Sequence, residues 1–334
     1  MIDVKKEGVV LRKTELAFED ESVLNPAVVM EQDIIHFFYR AVRIHNYSSI
    51  GYCKLDTNLK VIERNDKPFL SPEFECESHG MEDPRIVKID GTYYLSYVAF
   101  DSVNALGALA TSTDLLNFKR HGIIVPKINY DDFDRLTKNN AVLNEKYLRY
   151  NRGANFLADK DLVFFPRKIN GKFTFMHRIK PDIQIVSVSS LDELNDDFWE
   201  DYFLHFNEHI LLEPKYPHEL SYVGSGCPPI ETEQGWLIIY HGVKNTTKGY
   251  EYSCCTALLD LNDPLKELAR LPYPLFKPEL DYELKGDVDD VCFPTGTTLF
   301  GDKLYIYYGA ADELIACASV SLSGLVEELL LNKI

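Results

Sequence analysis

The stretch MEDPRIVKIDGTYYLSYVAF, residues 81–100, has the pattern of a β-hairpin with a charged entrance. A proline-marked segment leads to an Asp-Gly pair at 90–91, and an alternating aromatic segment follows. Asp-Gly between alternating apolar residues is typical of a tight hairpin turn. Glu82, Asp83 and Arg85 stand at the mouth of this hairpin, where a strand that only builds a core would have apolar residues. An ion-pair role for Glu82 and Arg85 beside Asp83 is one explanation, and a binding role for Arg85 is the other.

The aromatic segment of this hairpin recurs four more times along the chain. The five copies align on Tyr39, Tyr97, His177, Tyr240 and Tyr308, with spacings of 58, 80, 63 and 68 residues. A proline-marked segment and a turn precede each copy, and a segment of small residues follows it. Five repeats of roughly 60 residues, each with three or four antiparallel strands, predict an all-β fold, a five-bladed β-propeller. A two-sheet sandwich is the alternative, but it does not require period-matched strand triplets. The aromatic segments are 34–41, 92–99, 172–179, 235–242 and 303–310.

The longest spacing indicates an insertion at about 127–158, where the strand pattern is interrupted. Within it, NNAVLNEKYLRY (139–150) has the composition of a short helix, and SGLVEELLLNKI (323–334) predicts an amphipathic C-terminal helix. The insertion could overhang a central site, mediate association or be a plain surface excursion. We therefore expect residues 1–334 to form one catalytic domain with a short helical insertion and a C-terminal helix.

The composition argues against several classes of protein. The net charge of −17 disfavours a nucleic-acid or anionic-membrane surface, although a local basic cluster could still bind a small anion. No segment approaches about 18 uncharged apolar residues, and the first fifteen residues lack an apolar stretch of signal-peptide length, so we expect a cytoplasmic protein that does not enter a membrane. The seven cysteines lack paired zinc spacing and the nine histidines form no HExxH motif, so reduced thiols and no metal site are expected.

Polar residues recur at equivalent strand ends in the predicted units. A small propeller brings its innermost strands around one axis, so these residues would meet at one end of that axis. The set mixes acids and bases, which suits a sugar and an anion better than a metal. A solvated rim of weak surface ion pairs is the alternative. The seven residues are Asn25, Arg40, Asp83, Lys160, Arg178, His241 and Asp312.

Two kinds of chemistry follow from this set. A partly desolvated carboxyl at the axis can have a raised pKa and donate a proton, which makes Asp83 the leading catalytic candidate. Lys160, Arg178 and His241 could together hold a phosphate, because fixed cations stabilise anionic groups.

The motifs MEDPRIVKIDGTYYLSY, DLVFFPRKINGKFTFMHR, GWLIIYHGV, TALLDLNDP and YYGAAD resemble glycoside hydrolase family 130 in sequence and order, from about residue 20 to residue 325. The resemblance implies a five-bladed β-propeller and an inverting phosphorylase of β-mannosides. Phosphate would attack C1 of a mannosyl unit and release α-mannose 1-phosphate. Inorganic phosphate would then be the co-substrate, with no other cofactor.

The resemblance also implies roles for individual residues. The aspartate of the DPR motif falls on Asp83, which would protonate the glycosidic oxygen, in some members through a hydroxyl of the sugar. The residues expected at the mannosyl unit are Asn25, Arg40, Asp312 and Arg85. The residues expected at phosphate are Lys160, Arg178, His241 and Tyr252, with Tyr250 as an alternative to Tyr252.

Two positions depart from the pattern of many phosphorylases in the family. Lys160 stands where an arginine is common, and it keeps the charge but loses the bidentate fork. Asp161 stands where asparagine is common, and a carboxylate there would repel phosphate. Hydrolysis therefore stays open, and inverting hydrolysis needs a base roughly 6.5–9.5 Å from the acid to activate water. Asp161 and Glu219 are the candidates for that base.

Two other classes of protein are alternatives to an enzyme. A non-catalytic carbohydrate-binding propeller would use the same aromatic platforms and polar rims, but it would not need a proton donor at Asp83. A structural scaffold would bind no ligand. We expect a β-mannoside oligosaccharide and phosphate as partners, and a homo-oligomer is possible. The linkage cleaved, β-1,2 or β-1,4, depends on loops that the motifs do not specify.

Overall fold

The computed structural model describes residues 2–138, 145–147, 150 and 154–334, and the fold is mostly β. The strands form four sheets, and the largest, of eight strands, contains two antiparallel units joined by one parallel bridge between Ser48 and Gly80. Five antiparallel units are therefore described here in chain order. The first unit contains β2 (Ser22–Glu31), β3 (Ile34–Arg43), β4 (Tyr47–Leu55) and β5 (Val61–Arg64). The second contains β6 (Gly80–Ile89), β7 (Thr92–Phe100), β8 (Ala105–Ser112) and β9 (Lys119–Ile123). The third contains β10 (Lys160–Phe164), β11 (Phe173–Arg178), β12 (Ile183–Val188) and β13 (Ile210–Leu212).

The last two units follow the same antiparallel order. The fourth contains β14 (Tyr222–Ser225), β15 (Ile230–Thr232), β16 (Gly235–Thr246), β17 (Gly249–Leu259) and β18 (Glu267–Arg270). The fifth contains β19 (Cys292–Phe300), β20 (Lys303–Ala310), β21 (Leu314–Ser321) and the N-terminal strand β1 (Lys5–Leu11). Because β1 pairs with β21, the two ends of the chain are joined in one sheet.

The first strands of the units lie next to one another. β2 contacts β6, β6 contacts β10, and β10 contacts β14. β19 contacts β2 and also β16 and β17 of the fourth unit. Residues far apart in sequence therefore meet where these strands begin.

The predicted aromatic strands are confirmed as β3, β7, β11, β16 and β20, and the residues on which they align have equivalent contacts. In the second unit, the Tyr97 hydroxyl donates a hydrogen bond of 2.7 Å to Glu77, and Arg120 pairs with the same carboxylate at 2.5 Å. Backbone N–H groups of Glu73 and Phe74 also donate to Glu77, so the buried charge is compensated. The equivalent pairs are Tyr39–Glu19, His177–Asp159, Tyr240–Glu219 and Tyr308–Glu283.

The helices agree with only part of the sequence-based prediction. The C-terminal helix is confirmed as residues Leu322–Leu330, and the insertion contains a helix, Tyr130–Thr137, that begins earlier than expected. The helix predicted over 139–150 lies largely outside the described residues, of which 145–147 are helical. The helices are α1 (Tyr130–Thr137), α2 (Asp196–Leu204), α3 (Asp281–Leu284) and α4 (Leu322–Leu330), with 3-10 turns at Glu75–Glu77, Leu191–Glu193 and Phe206–His209.

Helix α2 was not predicted, and its packing explains where the insertion lies. The Asn195 side chain accepts a hydrogen bond from the Phe198 backbone N–H and caps the helix. Phe133 of α1 meets Phe203 of α2 edge to face, with ring centroids 5.7 Å apart. The described part of the insertion thus packs into the core that the second and third units share. None of the described helices has the length and apolar character needed to cross a bilayer.

Candidate active site

A small, mostly polar cavity of about 190 Å³ lies where the first strands meet. It receives residues from all five units. Eight of the residues predicted for the site line it, together with four that were not predicted. The predicted eight are Asn25, Arg40, Asp83, Lys160, Asp161, Arg178, Tyr252 and Asp312, and the other four are Lys180, Tyr222, Val291 and Phe293.

Bulges in three of the first strands direct polar side chains into this cavity. The pairing of β2, β6 and β10 is interrupted by register shifts, and each shift contains a residue with positive φ. These residues are Asn25 (φ 49°), Asp83 (φ 47°) and Asp161 (φ 54°). Asn and Asp tolerate the left-handed region better than bulkier side chains do, and a β-bulge re-aims the side chain that it carries. The repeated bulge explains why three distant residues converge.

Asp83 is buried and held by groups that favour its charged form. Asn25 donates a hydrogen bond of 2.7 Å to Oδ1 of Asp83, and Nη1 of Arg40 lies 3.4 Å from the same oxygen. Burial alone would raise the pKa of the Asp83 carboxyl, but Arg40, Lys160, Asn25 and Arg85 lower it to about 2. The expectation of a raised pKa is therefore wrong for the protein without ligands, because the neighbouring cations outweigh desolvation.

Glu82, the residue before Asp83, bridges two of the predicted cations. One carboxylate oxygen lies 2.8 Å from Nη2 of Arg40, and the other lies 3.2 Å from Nζ of Lys160. The charge of Lys160 is thus matched by a nearby carboxylate. Glu82 acts on the site through Arg40 and Lys160, which agrees with the ion-pair explanation for this residue.

The predicted phosphate end contains fewer free positive charges than expected. Nη1 of Arg178 lies 3.0 Å from Oδ2 of Asp161, and both side chains are buried. The same Nη1 lies 3.2 Å from Nε2 of His241. Burial, Arg178, Arg85 and Lys180 hold the pKa of His241 well below its usual value, so this histidine is neutral at pH 7. The prediction that His241 would act as a cation is therefore wrong, although a neutral imidazole N–H can still donate a hydrogen bond.

Lys180 and Tyr222 are site residues that the sequence analysis did not identify. The Lys180 ammonium lies 3.9 Å from the centroid of the Tyr222 ring, and the Tyr222 hydroxyl makes a short hydrogen bond with Tyr252. Lys180 follows Arg178 by two residues, and side chains two apart in an extended chain point the same way. That spacing was the available signal for Lys180.

A larger depression of about 570 Å³ lies next to the cavity. Arg40, Lys160 and Asp312 line both spaces, so the two adjoin at these side chains. Burial, Asp83 and Asp287 raise the pKa of Asp312 to about 6, against the opposing effect of Arg40. An elongated ligand could therefore place one unit in the inner cavity and a second unit in the outer depression.

Arg85 lies beside the cavity in a structural role. Its Nε donates to the carbonyl of Gly226 at 2.5 Å, and its Nη1 donates to the carbonyls of Asp83 and Pro84. The side chain is almost fully buried and fixes the backbone that carries Asp83. Its Nε and Nη1 are occupied by backbone carbonyls and its Nη2 is buried without a hydrogen-bond partner in the described part of the chain, so substrate contact by Arg85 stays a prediction.

Glu219 likewise belongs to a structural cluster. It accepts a short hydrogen bond from the Tyr240 hydroxyl and pairs with Arg270 at 3.3 Å, as Glu19 and Glu77 pair with a tyrosine and an arginine in the first two units. Glu219 is not among the residues that line the cavity, so its position does not favour a role as the water-activating base. Its side chain also lies close to His218 and Cys255, one grouping of possible metal ligands among the described residues. The existing contacts of Glu219 argue against metal binding there.

Comparison with known proteins finds a family model, two relatives and a solved structure that are all named as phosphorylases. A family model described as beta-1,4-mannooligosaccharide phosphorylase matches residues 4–330. A 1,2-beta-oligomannan phosphorylase from Thermoanaerobacter sp. (strain X514) is 34% identical over 333 residues, which cover 95% of this chain and 97% of the relative. A beta-1,2-mannobiose phosphorylase from the same strain is 35% identical over 323 residues, covering 92% of each chain. The solved structure of beta-1,2-mannobiose phosphorylase from Listeria innocua, in complex with beta-1,2-mannobiose, matches with a TM-score of 0.76 at 24% identity, covering 99% of this chain and 100% of that one.

Proposed function

The chain belongs to glycoside hydrolase family 130, and from this membership and the cavity we propose that it is an inverting β-mannoside phosphorylase. It transfers a mannosyl unit to inorganic phosphate and forms α-mannose 1-phosphate. The observation that carries the proposal is the shared cavity, where the carboxylate of Asp83 and the cations Lys160 and Arg178 line one space. Phosphate is the co-substrate, and the reaction needs no other cofactor.

We also propose that the five units form one five-bladed β-propeller over residues 1–334. The ordered contacts between first strands and the pairing of β1 with β21 support a ring closed by the N-terminal strand. The free thiols suit a reducing compartment, which supports the proposed cytoplasmic location. A homo-oligomer stays a prediction from the resemblance.

In the proposed reaction, the mannosyl unit binds between Asn25, Arg40 and Asp312. Phosphate binds near Lys160 and Arg178 and attacks C1 on the face opposite the leaving group. The bond between C1 and the glycosidic oxygen breaks, and that oxygen takes a proton supplied by Asp83, directly or through a sugar hydroxyl. The new C1–O bond to phosphate has the inverted configuration.

The substrates themselves would make Asp83 a proton donor. Phosphate would weaken the positive field of Lys160 and Arg178, and the sugar would exclude water from the carboxylate. Both effects raise the pKa of a carboxyl group. The pKa of about 2 in the free protein and the proposed acid role of Asp83 are therefore compatible.

Hydrolysis is the second candidate, and the charge of Asp161 bears on it. A water-activating base needs a carboxylate that can accept a proton. Asp161 lines the cavity, but its Oδ2 lies 3.0 Å from Nη1 of Arg178 and is engaged in this buried ion pair. Phosphate is already a nucleophile and needs no such base, so phosphorolysis fits this site better.

We propose a β-1,2 linkage for the substrate. Two relatives of 34% and 35% identity over more than nine-tenths of this chain are named for 1,2-linked mannosides. The outer depression that adjoins the cavity would hold the leaving sugar.

The initial rate of β-1,2-mannobiose cleavage should depend on phosphate. We expect the rate to rise with phosphate concentration to saturation. It should fall to background when phosphate is omitted, because phosphate is the nucleophile of the proposed reaction. Mannose 1-phosphate and mannose, measured by chromatography, give the rate. Equal cleavage with and without phosphate would assign the enzyme to hydrolysis, and β-1,4-mannobiose in parallel tests the linkage.

A further inference from the structure

The cations that line the cavity are mostly matched by carboxylates. Lys160 faces Glu82 at 3.2 Å, and Arg178 faces Asp161 at 3.0 Å. Arg40 lies close to Glu82 as well. A phosphate dianion that approaches these pairs meets little net positive charge, and the attraction between charges is what favours it over water in a desolvated site.

Lys180 differs from the other cations of the cavity. Its ammonium lies over the Tyr222 ring, 3.9 Å from the centroid, and the side chain is partly buried. Within the described ranges it has no carboxylate oxygen within 4 Å, unlike Arg40, Lys160 and Arg178. A cation–π contact is weaker than a charge-assisted hydrogen bond, so the ammonium can still bind an anion.

We propose that Lys180 is a phosphate-binding residue that supplies the unmatched positive charge of the anion end. This inference rests on the proposed phosphorylase function and adds a residue to its site. Asp161 compensates the positive charge of Arg178. Lys180, two residues further along the chain, supplies a positive charge that no carboxylate of the described residues compensates at ion-pair distance. The Tyr222 ring fixes the ammonium toward the cavity, while the hydroxyl of Tyr222 is engaged by Tyr252.

The charge of Lys180 should depend on pH in the physiological range. Burial, Arg178 and Lys160 lower the pKa of Lys180 to about 7, and Asp161 opposes them. A bound anion favours the protonated form, so affinity is highest below pH 7 and falls as the pH rises through the pKa of the complex. The charged and titratable groups around Lys180 are those that line the cavity, together with His241: Arg40, Asp83, Lys160, Asp161, Arg178, Tyr222, Tyr252, Asp312 and His241.

Sulfate is the better probe of this charge, because its own charge stays constant where phosphate titrates. Calorimetric titration of the resting protein with sodium sulfate should give a dissociation constant that rises about tenfold or more in Lys180→Ala. Lys180→Arg should restore binding and make it independent of pH between about 7.5 and 9, because arginine stays protonated and Asp312, with a pKa of about 6, stays charged in this range. The dissociation constant of the wild type for sulfate should rise as the pH increases across the same range. Lys172→Gln is the matched control, because Lys172 is an exposed lysine directly before β11, whereas Lys180 follows the other end of the same strand.

The outcomes separate this inference from the function on which it rests. Wild-type affinity for sulfate in Lys180→Ala, a pH-independent wild-type constant, or no sulfate binding by the wild type would each overturn the role of Lys180. The KM for phosphate should rise in Lys180→Ala while the KM for mannobiose changes little. A wild-type enzyme that cleaves mannobiose without phosphate would overturn the phosphorylase function instead, whatever the sulfate result.

Discussion

Asp83→Asn is expected to lower kcat for the phosphorolysis of β-1,2-mannobiose by about 10²–10⁴-fold, the usual contribution of a general acid. The substitution keeps the size of the side chain and its position near Asn25. Asparagine also accepts the left-handed backbone of this position, where φ is 47°. The loss should therefore appear in kcat, with a smaller change in the affinity for mannobiose.

The control for this variant is Asp90→Asn at the other end of the same hairpin. Asp90 is exposed and also has positive φ, 49°. It pairs with Lys168 at the surface, which contributes little to stability. The control should keep wild-type kcat. A folded Asp83→Asn enzyme with kcat within a factor of ten of wild type would show that Asp83 is not the proton donor, and unchanged sugar binding without any wild-type turnover would favour a binding propeller.

Arg178→Met is expected to damage both phosphate use and stability. Loss of a charge-assisted contact should raise the KM for phosphate by about 10–100-fold. The change also leaves Asp161 buried without its counter-ion, and breaking a buried pair in this way typically costs about 3–5 kcal/mol of unfolding free energy. Initial rates and urea unfolding measure the two effects.

The double variant Arg178→Met/Asp161→Asn separates the two effects. It removes both members of the buried pair, so much of the unfolding free energy should return. The KM for phosphate should stay high, because the cation is still missing. Wild-type KM in a well-folded double variant would exclude Arg178 from phosphate binding and leave it a structural residue.

The repeated part of the fold was predictable because the same pattern of aromatic side chains recurs along the sequence. The five aromatic strands were located correctly. Each of the four aligned tyrosines donates a hydrogen bond to a buried glutamate of its own unit, and in the third unit His177 and Asp159 take the places of the tyrosine and the glutamate. The strands that lead into them place Asn25 and Asp83 together, as the alignment required. Helix α2 was missed because its residues, Asp196–Leu204, are rich in aromatic side chains, which are more typical of strands.

The electrostatics of the site were not predictable from the motifs. The pairing of Glu82 with both Arg40 and Lys160 depends on distances across three units, which no spacing in the chain contains. The neutral state of His241 likewise depends on burial beside Arg178. Sequence motifs can therefore indicate which residue types gather, whereas the net charge that they present to a ligand requires the folded arrangement.

The most direct test of phosphorolysis is the product balance from the methyl glycoside of β-1,2-mannobiose in saturating phosphate. This substrate releases methyl mannoside as its leaving group, so free mannose can arise only by hydrolysis. Phosphorus and proton NMR should show one α-mannose 1-phosphate for each methyl mannoside released. Free mannose in equal amount to methyl mannoside, or a β-configured phosphate, would contradict inverting transfer to phosphate in the cavity around Asp83.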